Sequence, residues 1–290
     1  MRRRINGWYV LIIAILIFGA LYCIYPVWYT LICSFSSKEY ISAGQVWIWP
    51  KGFHLASYKK ILEDITFLKC TWVSVKRVVL SVTLQLTTLL MTTFPLYLPR
   101  KVFPAGKYIM WFFLANMYFA GGMIPSYMLM KQYGLFNSFW ALIIPGAFPI
   151  GNIVLMINFF RTIPFELYEA AEMDGSNPLQ MLWKIYVPLS KPAIATMGLF
   201  SFVGQWNAYF DGLIYINDLD KQPLQTYVYQ LSVNLDFSNM SAEEIIEAMQ
   251  TSNQSFNSAK VFTAMVPILI VYPFLQKYFT KGMVIGAVKG

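Results

Sequence analysis

Histidine occurs once in the 290 residues, at His54, and cysteine three times, at Cys23, Cys33 and Cys70. One imidazole leaves His-based triads, histidine proton shuttles and zinc sites almost nothing to work with. The cysteines show no metal-ligand spacing, and two sit in or beside an apolar stretch, so they read as small apolar fillers. No G-x-x-x-x-G-K-[ST] run is present; the Gly106-Lys107 pair is followed by Tyr108, so any ATP is bound by another chain. Charged residues make up only 12% of the sequence, and no paired carboxylates stand together with a catalytic His or Cys at one membrane face, which argues against a membrane enzyme. Internal repeats, low-complexity tracts and linkers long enough to separate domains are also missing.

What is present is apolar: 57% hydrophobic and 18% aromatic residues, with a mean hydropathy of +0.51, describe an integral membrane protein of the all-α class. The net charge of +8 would suggest nucleic acid in a soluble chain. Here the bases gather at the ends of apolar runs, where they read as topology signals and lipid-headgroup contacts, with no nucleic acid involved. A bilayer needs about 20 apolar residues per helix. Six windows qualify: Ile5 to Ser37, Val78 to Pro99 with Lys76 and Arg77 snorkelling at its outer end, Tyr108 to Met130, Gln132 to Phe160 entered through a turn at Gly134 to Asn137, Pro192 to Phe210 continuing to about Ile216, and a short Val261 to Gln276.

With Arg2, Arg3 and Arg4 inside, six spans place both termini in the cytoplasm of a multi-pass protein, together with Arg100, Lys101 and Lys107 and the segment 161–191. Lysines and arginines then divide 12 inside and 10 outside. Outside, Trp47, Trp49, Pro50, Phe53 and Tyr58 form an interfacial aromatic cluster. The polar stretch Asp218 to Ser258 carries Ser241 and Glu244 spaced as a capping box before a short helix.

The stretch Glu166 to Pro192, ELYEAAEMDGSNPLQMLWKIYVPLSKP, is built with particular care. Pro164 suits the first turn of a short helix, Gly175 is placed to end it through a left-handed residue, and Asn177 caps a second helix begun by Pro178. Leu167, Ala170, Ala171 and Asp174 share one face, with the two alanines allowing another backbone to come close. Glu166, Glu169, Glu172 and Asp174 lie within nine residues with no base among them, and the last two sit at the wrong end of the helix dipole. Either this is a solvated acidic loop or it is steadied by cations from elsewhere.

Polar groups also interrupt the spans: Asn116 and the Gly121 to Pro125 run in the third, and Asn152 in the fourth. Interhelical hydrogen bonding and a place along an aqueous pathway both account for them. In the fifth, Gly204, Ala208 and Gly212 form a small-residue stripe, with Asn207 and Asp211 one turn apart and Gln205, Trp206 and Tyr209 beside them. A carboxylate there needs a partner or water, and Asp211 is expected to look into an aqueous mouth. Asn, Gln and aromatic rings suit a sugar, whose hydroxyls take hydrogen bonds while its C–H faces stack.

Glu169-Ala170-Ala171, three residues, Gly175, nine residues, then Ile185-Tyr186-Val187-Pro188 resembles the EAA loop of ABC importer permeases, with Val187 where that pattern has Leu. With six spans and the Gln205-Trp206-Asn207 to Asp211-Gly212-Leu213-Ile214-Tyr215 run, the chain resembles the carbohydrate, maltose-permease-like branch. The Gly121 to Pro125 run and the ending Lys281 to Gly290 are similar to the subgroup for complex oligosaccharides and polysaccharide fragments. The resemblance implies a type I importer fold, with an N-terminal helix and outer segment over 1–70 and a permease core over 71–290. It implies a bacterial plasma-membrane subunit that pairs with a second, similar permease, with two ATPase subunits that use ATP and Mg, and with an extracellular or periplasmic sugar-binding protein. By the same resemblance, Glu166, Glu169, Ala170, Ala171, Asp174 and Gly175 couple to the ATPase, Glu169 facing a base of its groove, and the tail after Lys281 reaches that interface. Asn116, Asn152, Gln205, Trp206, Asn207 and Asp211 stand along the oligosaccharide's pathway, and this chain binds no cofactor. The alternative is an ion-coupled secondary transporter, which needs midmembrane carboxylates and usually an inverted repeat.

Overall fold

The computed structural model describes the backbone of residues 7–119, 121–233 and 254–287, with side chains through residue 273. Arg2 to Arg4, the expected capping box at Ser241 and Glu244, and the last residues of the tail lie outside the described residues. Those described form helices and turns with no strand among them, in two compact units: residues 1–68 with 228–267, and 69–227 with 268–290.

In the first unit, helix α1 (Gly7–Ser34) is exposed apolar surface along most of its length, as a lipid-facing span requires. The expected aromatic segment folds back on its end. Trp28 Nε1 donates to the Ile48 carbonyl at 2.9 Å, and Phe35 stacks on Phe53 with centroids 5.5 Å apart. Trp47 and Trp49 stay exposed, Trp49 edge-on to Trp28, as a membrane interface suits. The short helices α2 (Lys38–Ser42) and α3 (Ala56–Glu63) follow. The last described helix (Gln254–Ala287), whose residues up to 267 belong to this unit, extends the short sixth window at both ends. Ser57 and Ser255 share a 2.8 Å hydrogen bond, and Lys260 pairs with Asp64 at 2.6 Å while lying 4.3 Å from the centre of the Phe256 ring. Lys260 is buried and Asp64 half-buried, so this pair stands partly out of water.

In the second unit, α4 (Ile65–Tyr97) begins 13 residues before the expected span, so Lys69, Lys76 and Arg77 are part of the helix itself and not its outer end. Helices α5 (Gly106–Tyr118) and α6 (Met123–Gln132) form a span bent by 114° at the Gly121 to Pro125 run, with Gly122 at φ +89°. Two 3-10 turns (Phe139–Leu142 and Ile144–Gly146) and α7 (Ile150–Phe160) form another, bent by 40° beside Pro149. Next come α8 (Glu166–Met173), α9 (Pro178–Met181), a π turn (Leu182–Tyr186) and the three-residue α10 (Val187–Leu189). The fifth window splits into α11 (Lys191–Asn207) and α12 (Phe210–Tyr215), because Ala208 turns extended at ψ 119°. A 3-10 turn (Leu219–Lys221) leads to α13 (Leu224–Val233). Among the described residues three helices are long and apolar enough to cross a bilayer, or five if each bent pair is one span; the fifth expected window is represented by the 17-residue α11.

This unit's core joins Leu89, Leu90 and Phe94 of α4 to Ile153, Met156, Ile157 and Phe160 of α7 and to Tyr186. Tyr186 is fully buried, its ring meeting Phe94, Phe160 and Tyr97 at 5.1 to 5.5 Å, and its hydroxyl donates to the Tyr97 oxygen at 3.2 Å.

Burial alone would raise the Asp64 carboxyl, but hydrogen bonds from Lys260 and the Phe67 amide hold it below its ordinary 3.8. A carboxyl lowered on folding contributes stability above that ordinary value and loses it as pH falls through the lowered one. Asp64→Asn strands a buried ammonium and should destabilise the chain by roughly 3 kcal/mol, the low end for a buried pair. Exposed Glu63→Gln should change little. Thermal unfolding of the purified protein at neutral pH and in progressively stronger acid checks both, since wild type and Asp64→Asn should converge once pH falls below the lowered carboxyl value.

Candidate functional site

Two places carry the chemistry, both in the second unit. The first is the acidic hairpin of α8 and α9. An eight-residue helix is far too short to hold itself in water, and α8 is fixed by its neighbours. Tyr168 and Ala171 are buried in the core, with Tyr168 stacked on Phe165 at 5.1 Å. Gly175 N donates to the Glu172 carbonyl at 3.0 Å and Ser176 N to the Ala171 carbonyl at 2.9 Å. These two bonds form a Schellman motif around Gly175 at φ +76°, the left-handed end expected from the sequence. Asn177 and Gln180 then exchange bonds of 2.8 and 3.1 Å, a full capping box that starts α9 at Pro178.

The expected face of α8 divides. Ala171 turns into the protein's own core, while Leu167, Ala170 and Asp174 stay exposed with Glu166, Glu169 and Glu172. None of these four carboxylates has an ion-pair partner among the described residues. Burial, and then the Glu172 charge, push the Tyr168 hydroxyl above its ordinary range, so it stays a neutral packing ring. A cavity of about 340 Å³ lies beneath the hairpin, between Phe94, Leu98 and Phe103 on one side and Tyr168, Leu179 and Leu182 on the other.

The second place is the break between α11 and α12. Of the partner or water that the sequence required for Asp211, the structure supplies a partner, the guanidinium of Arg77. Arg77 Nη1 donates to Asp211 Oδ1 at 3.0 Å and Nη2 to Oδ2, a bidentate pair with side chains 3% and 28% exposed. The same guanidinium donates to Gln205 Oε1 at 3.0 Å and to the Ala208 carbonyl at 3.2 Å. It thus holds both the side chains and the backbone of the break. Trp206 is buried and stacked on Phe202 at 6.4 Å. Asn207 is exposed at the last residue of α11. Asn116 is exposed and spends its amide on the Phe112 carbonyl one turn back, and Asn152 is half-buried in α7. So Gln205 and Asp211 meet through Arg77, whereas no hydrogen bond among the described residues joins Asn116, Asn152 or Asn207 to them.

The expected small-residue stripe is interrupted by the same break. A side chain at Gly204 would meet nothing within 4 Å, whereas one at Gly212 would collide with Thr226 Oγ1 and stand 2.8 Å from Pro223 Cδ. Of the two glycines, Gly212 alone serves close packing, against the start of α13.

The family model for the binding-protein-dependent transport system inner membrane component matches residues 73–285. The chain belongs to that family. It is 38% identical to Protein LplC of Bacillus subtilis over 267 residues, 92% of this chain and 90% of that one. It is 34% identical to the polygalacturonan/rhamnogalacturonan transport system permease protein YtcP of the same organism, covering 97% of each. It is also similar to a solved structure, a bacterial ABC transporter involved in the import of the acidic polysaccharide alginate. The TM-score is 0.85 at 31% identity, covering 96% of this chain and 99% of that one.

In this permease, Arg77 belongs to a row that reading by charge alone missed. Ser74, Arg77, Ser81, Gln85 and Thr88 recur every three or four residues along α4, and all but the half-buried Thr88 are buried. Ser74 Oγ accepts from Leu224 N at 2.8 Å at the start of α13. Gln85 donates to the Gly146 carbonyl at 2.8 Å and Thr88 to the Ala147 carbonyl at 2.6 Å, at the break before α7. The helical period of polar residues inside an apolar run was the available signal, since a lipid-facing helix has no reason to carry one.

Asp211→Ala leaves a guanidinium buried without its carboxylate and should cost roughly 3 to 5 kcal/mol, with loss of folded complex. Replacing both partners, Arg77→Met with Asp211→Leu, removes the stranded charge and should recover only part of that loss, because the Ala208 carbonyl and Gln205 Oε1 still lose their donor. Asn207→Ala should leave assembly intact and lower uptake. Detergent stability and sugar uptake of these variants beside wild type separate the two effects.

Proposed function

We propose that the chain is the permease subunit of an ATP-driven sugar importer, forming the pathway for an oligosaccharide cut from a larger polysaccharide together with a second, similar permease. A separate binding protein delivers the sugar, and separate ATPase subunits use ATP and Mg. Family membership and likeness to permeases named for polysaccharide transport support the class. The observation that carries the coupling role is the geometry of α8: it is anchored from below by Tyr168 and Ala171, closed by Gly175, and presents Glu166, Glu169, Ala170 and Asp174 outward. A rigid, exposed, uncompensated acidic helix fits a cationic groove on a partner, and its buried side passes motion to α4 and α7 through Tyr186.

In this reading, the hairpin and both termini face the cytoplasm of a bacterial plasma membrane. The break at Ala208 borders the pathway: Asn207 contacts sugar, Gln205, Trp206 and Asp211 give it its shape, and Asn116 and Asn152 stand along the bent third and fourth spans. Rocking of the helices about such breaks would alternate access between the two membrane faces.

A carboxylate shielded at a docked interface is worth roughly 3 to 5 kcal/mol, against about 0 to 1 for an exposed one. Glu169→Lys should therefore abolish transport, while Glu172→Lys has a much smaller effect. Gly175→Val meets no steric neighbour, yet forces a β-branched residue to φ +76°, which costs about 1 to 3 kcal/mol and misaims α9. It should uncouple transport with the protein still in the membrane. ATPase co-purification, substrate-stimulated hydrolysis and uptake decide. Normal uptake from Glu169→Lys would remove this loop from the coupling path.

A further inference from the structure

From residue 65 to residue 165 the sequence holds eight lysines and arginines and no aspartate or glutamate. Two of these bases find acids elsewhere, Lys69 on Asp220 and Arg77 on Asp211. Three of the remainder meet at one place: Arg100, from the connection between α4 and α5, Lys107, in the first turn of α5, and Arg161, at the C-cap of α7, line one cavity of about 230 Å³. All three are exposed and have no ion-pair partner among the described residues. The rest of the wall is apolar, including Leu96, Met110 and the exposed ring of Trp111 on α5. Leu98 and Phe103 line both this cavity and the one beneath the α8–α9 hairpin, so it lies at that end of the unit.

We propose that this cavity is a binding site for the phosphate headgroup of an anionic phospholipid. Three cations lining one cavity without a carboxylate repel one another, and a phosphate diester relieves that repulsion. The apolar wall separates a lipid from a free anion: acyl chains run along Met110 and Trp111 on the outside of a membrane-spanning helix, where a soluble phosphate gains nothing. An aromatic ring beside basic side chains at a helix end is the arrangement of the membrane interface. Occupation of the site ties the α4–α5 connection to the end of α7, next to the hairpin.

The test is to reconstitute the permease with its partner subunits in nanodiscs of phosphatidylcholine containing a minor fraction of phosphatidylglycerol, and to measure by mass spectrometry the lipid retained after detergent extraction. Phosphatidylglycerol should be enriched over the bulk ratio. Arg100→Gln, Lys107→Gln and Arg161→Gln should each lower that enrichment about fivefold, whereas Lys131→Gln, outside the cavity, should leave it unchanged. These are exposed positions, so thermal stability in pure phosphatidylcholine should hold for all four. Equal enrichment in wild type and the triple variant would overturn the proposal. So would full displacement of the lipid by millimolar inorganic phosphate, which would make this a free-anion site, or enrichment present only when the ATPase subunits are absent, which would make the surface a protein interface.

Discussion

Within a bilayer, a broken helix leaves carbonyls and amides that no water can reach, and some other part of the chain must supply their partners. In this permease that duty falls to one face of α4. Arg77 is its centre: the guanidinium carries five N–H donors in a fixed fork, enough for the Asp211 carboxylate, the Gln205 amide and the freed Ala208 carbonyl at once. A lysine would offer a point charge without the fork. Gln85 and Thr88 do for the break before α7 what Arg77 does for the break after α11, and Ser74 receives the first amide of α13. Bends that would be ruinous in isolated helices become stable where they lean on this row.

The other end of the unit follows a different rule. Around Tyr186, packing is aromatic and dry, with Phe94, Tyr97 and Phe160 meeting its ring and Tyr97 accepting its hydroxyl hydrogen bond. Ring pairs of this kind are worth about 0.5 to 1.5 kcal/mol each beyond the area they bury. They make a stiff platform on which α8 sits through Tyr168 and Ala171. Under the proposed coupling role, this platform would pass a push on α8 on to α4 and α7, whose packing around Tyr186 it shares.

The hairpin was almost entirely legible in the sequence because its determinants are local. Gly175, Asn177 and Pro178 each act on backbone within a few residues, and the structure places all three as their chemistry dictates. The exposed and buried sides of α8 were less legible: Ala170 and Ala171 are chemically alike, and only Tyr168, which carries the larger buried area, decides which of the two turns inward. The Arg77–Asp211 pair joins residues 134 positions apart, and Lys260–Asp64 likewise joins distant segments, so neither partner could be named from spacing. Reading Arg77 by its charge sent it to the lipid headgroups, whereas reading it with Ser74, Ser81, Gln85 and Thr88 places it on a protein-facing stripe. The start of α4 was missed for the same reason, because Lys69, Lys76 and Arg77 ended the uncharged window while the helix ran through them.

Transport and hydrolysis are coupled, in this reading, because α8 offers one side to its own core and the other to the ATPase. The most direct measurement is thiol labelling of Ala170→Cys and Ala171→Cys in a background with the native cysteines replaced, each with and without the ATPase subunits bound. The thiol at position 170 should label readily in the permease pair alone and be shielded when the ATPase is present, while the thiol at position 171 should resist labelling in both states. Equal labelling at position 170 with and without the ATPase would contradict the two-sided role of α8.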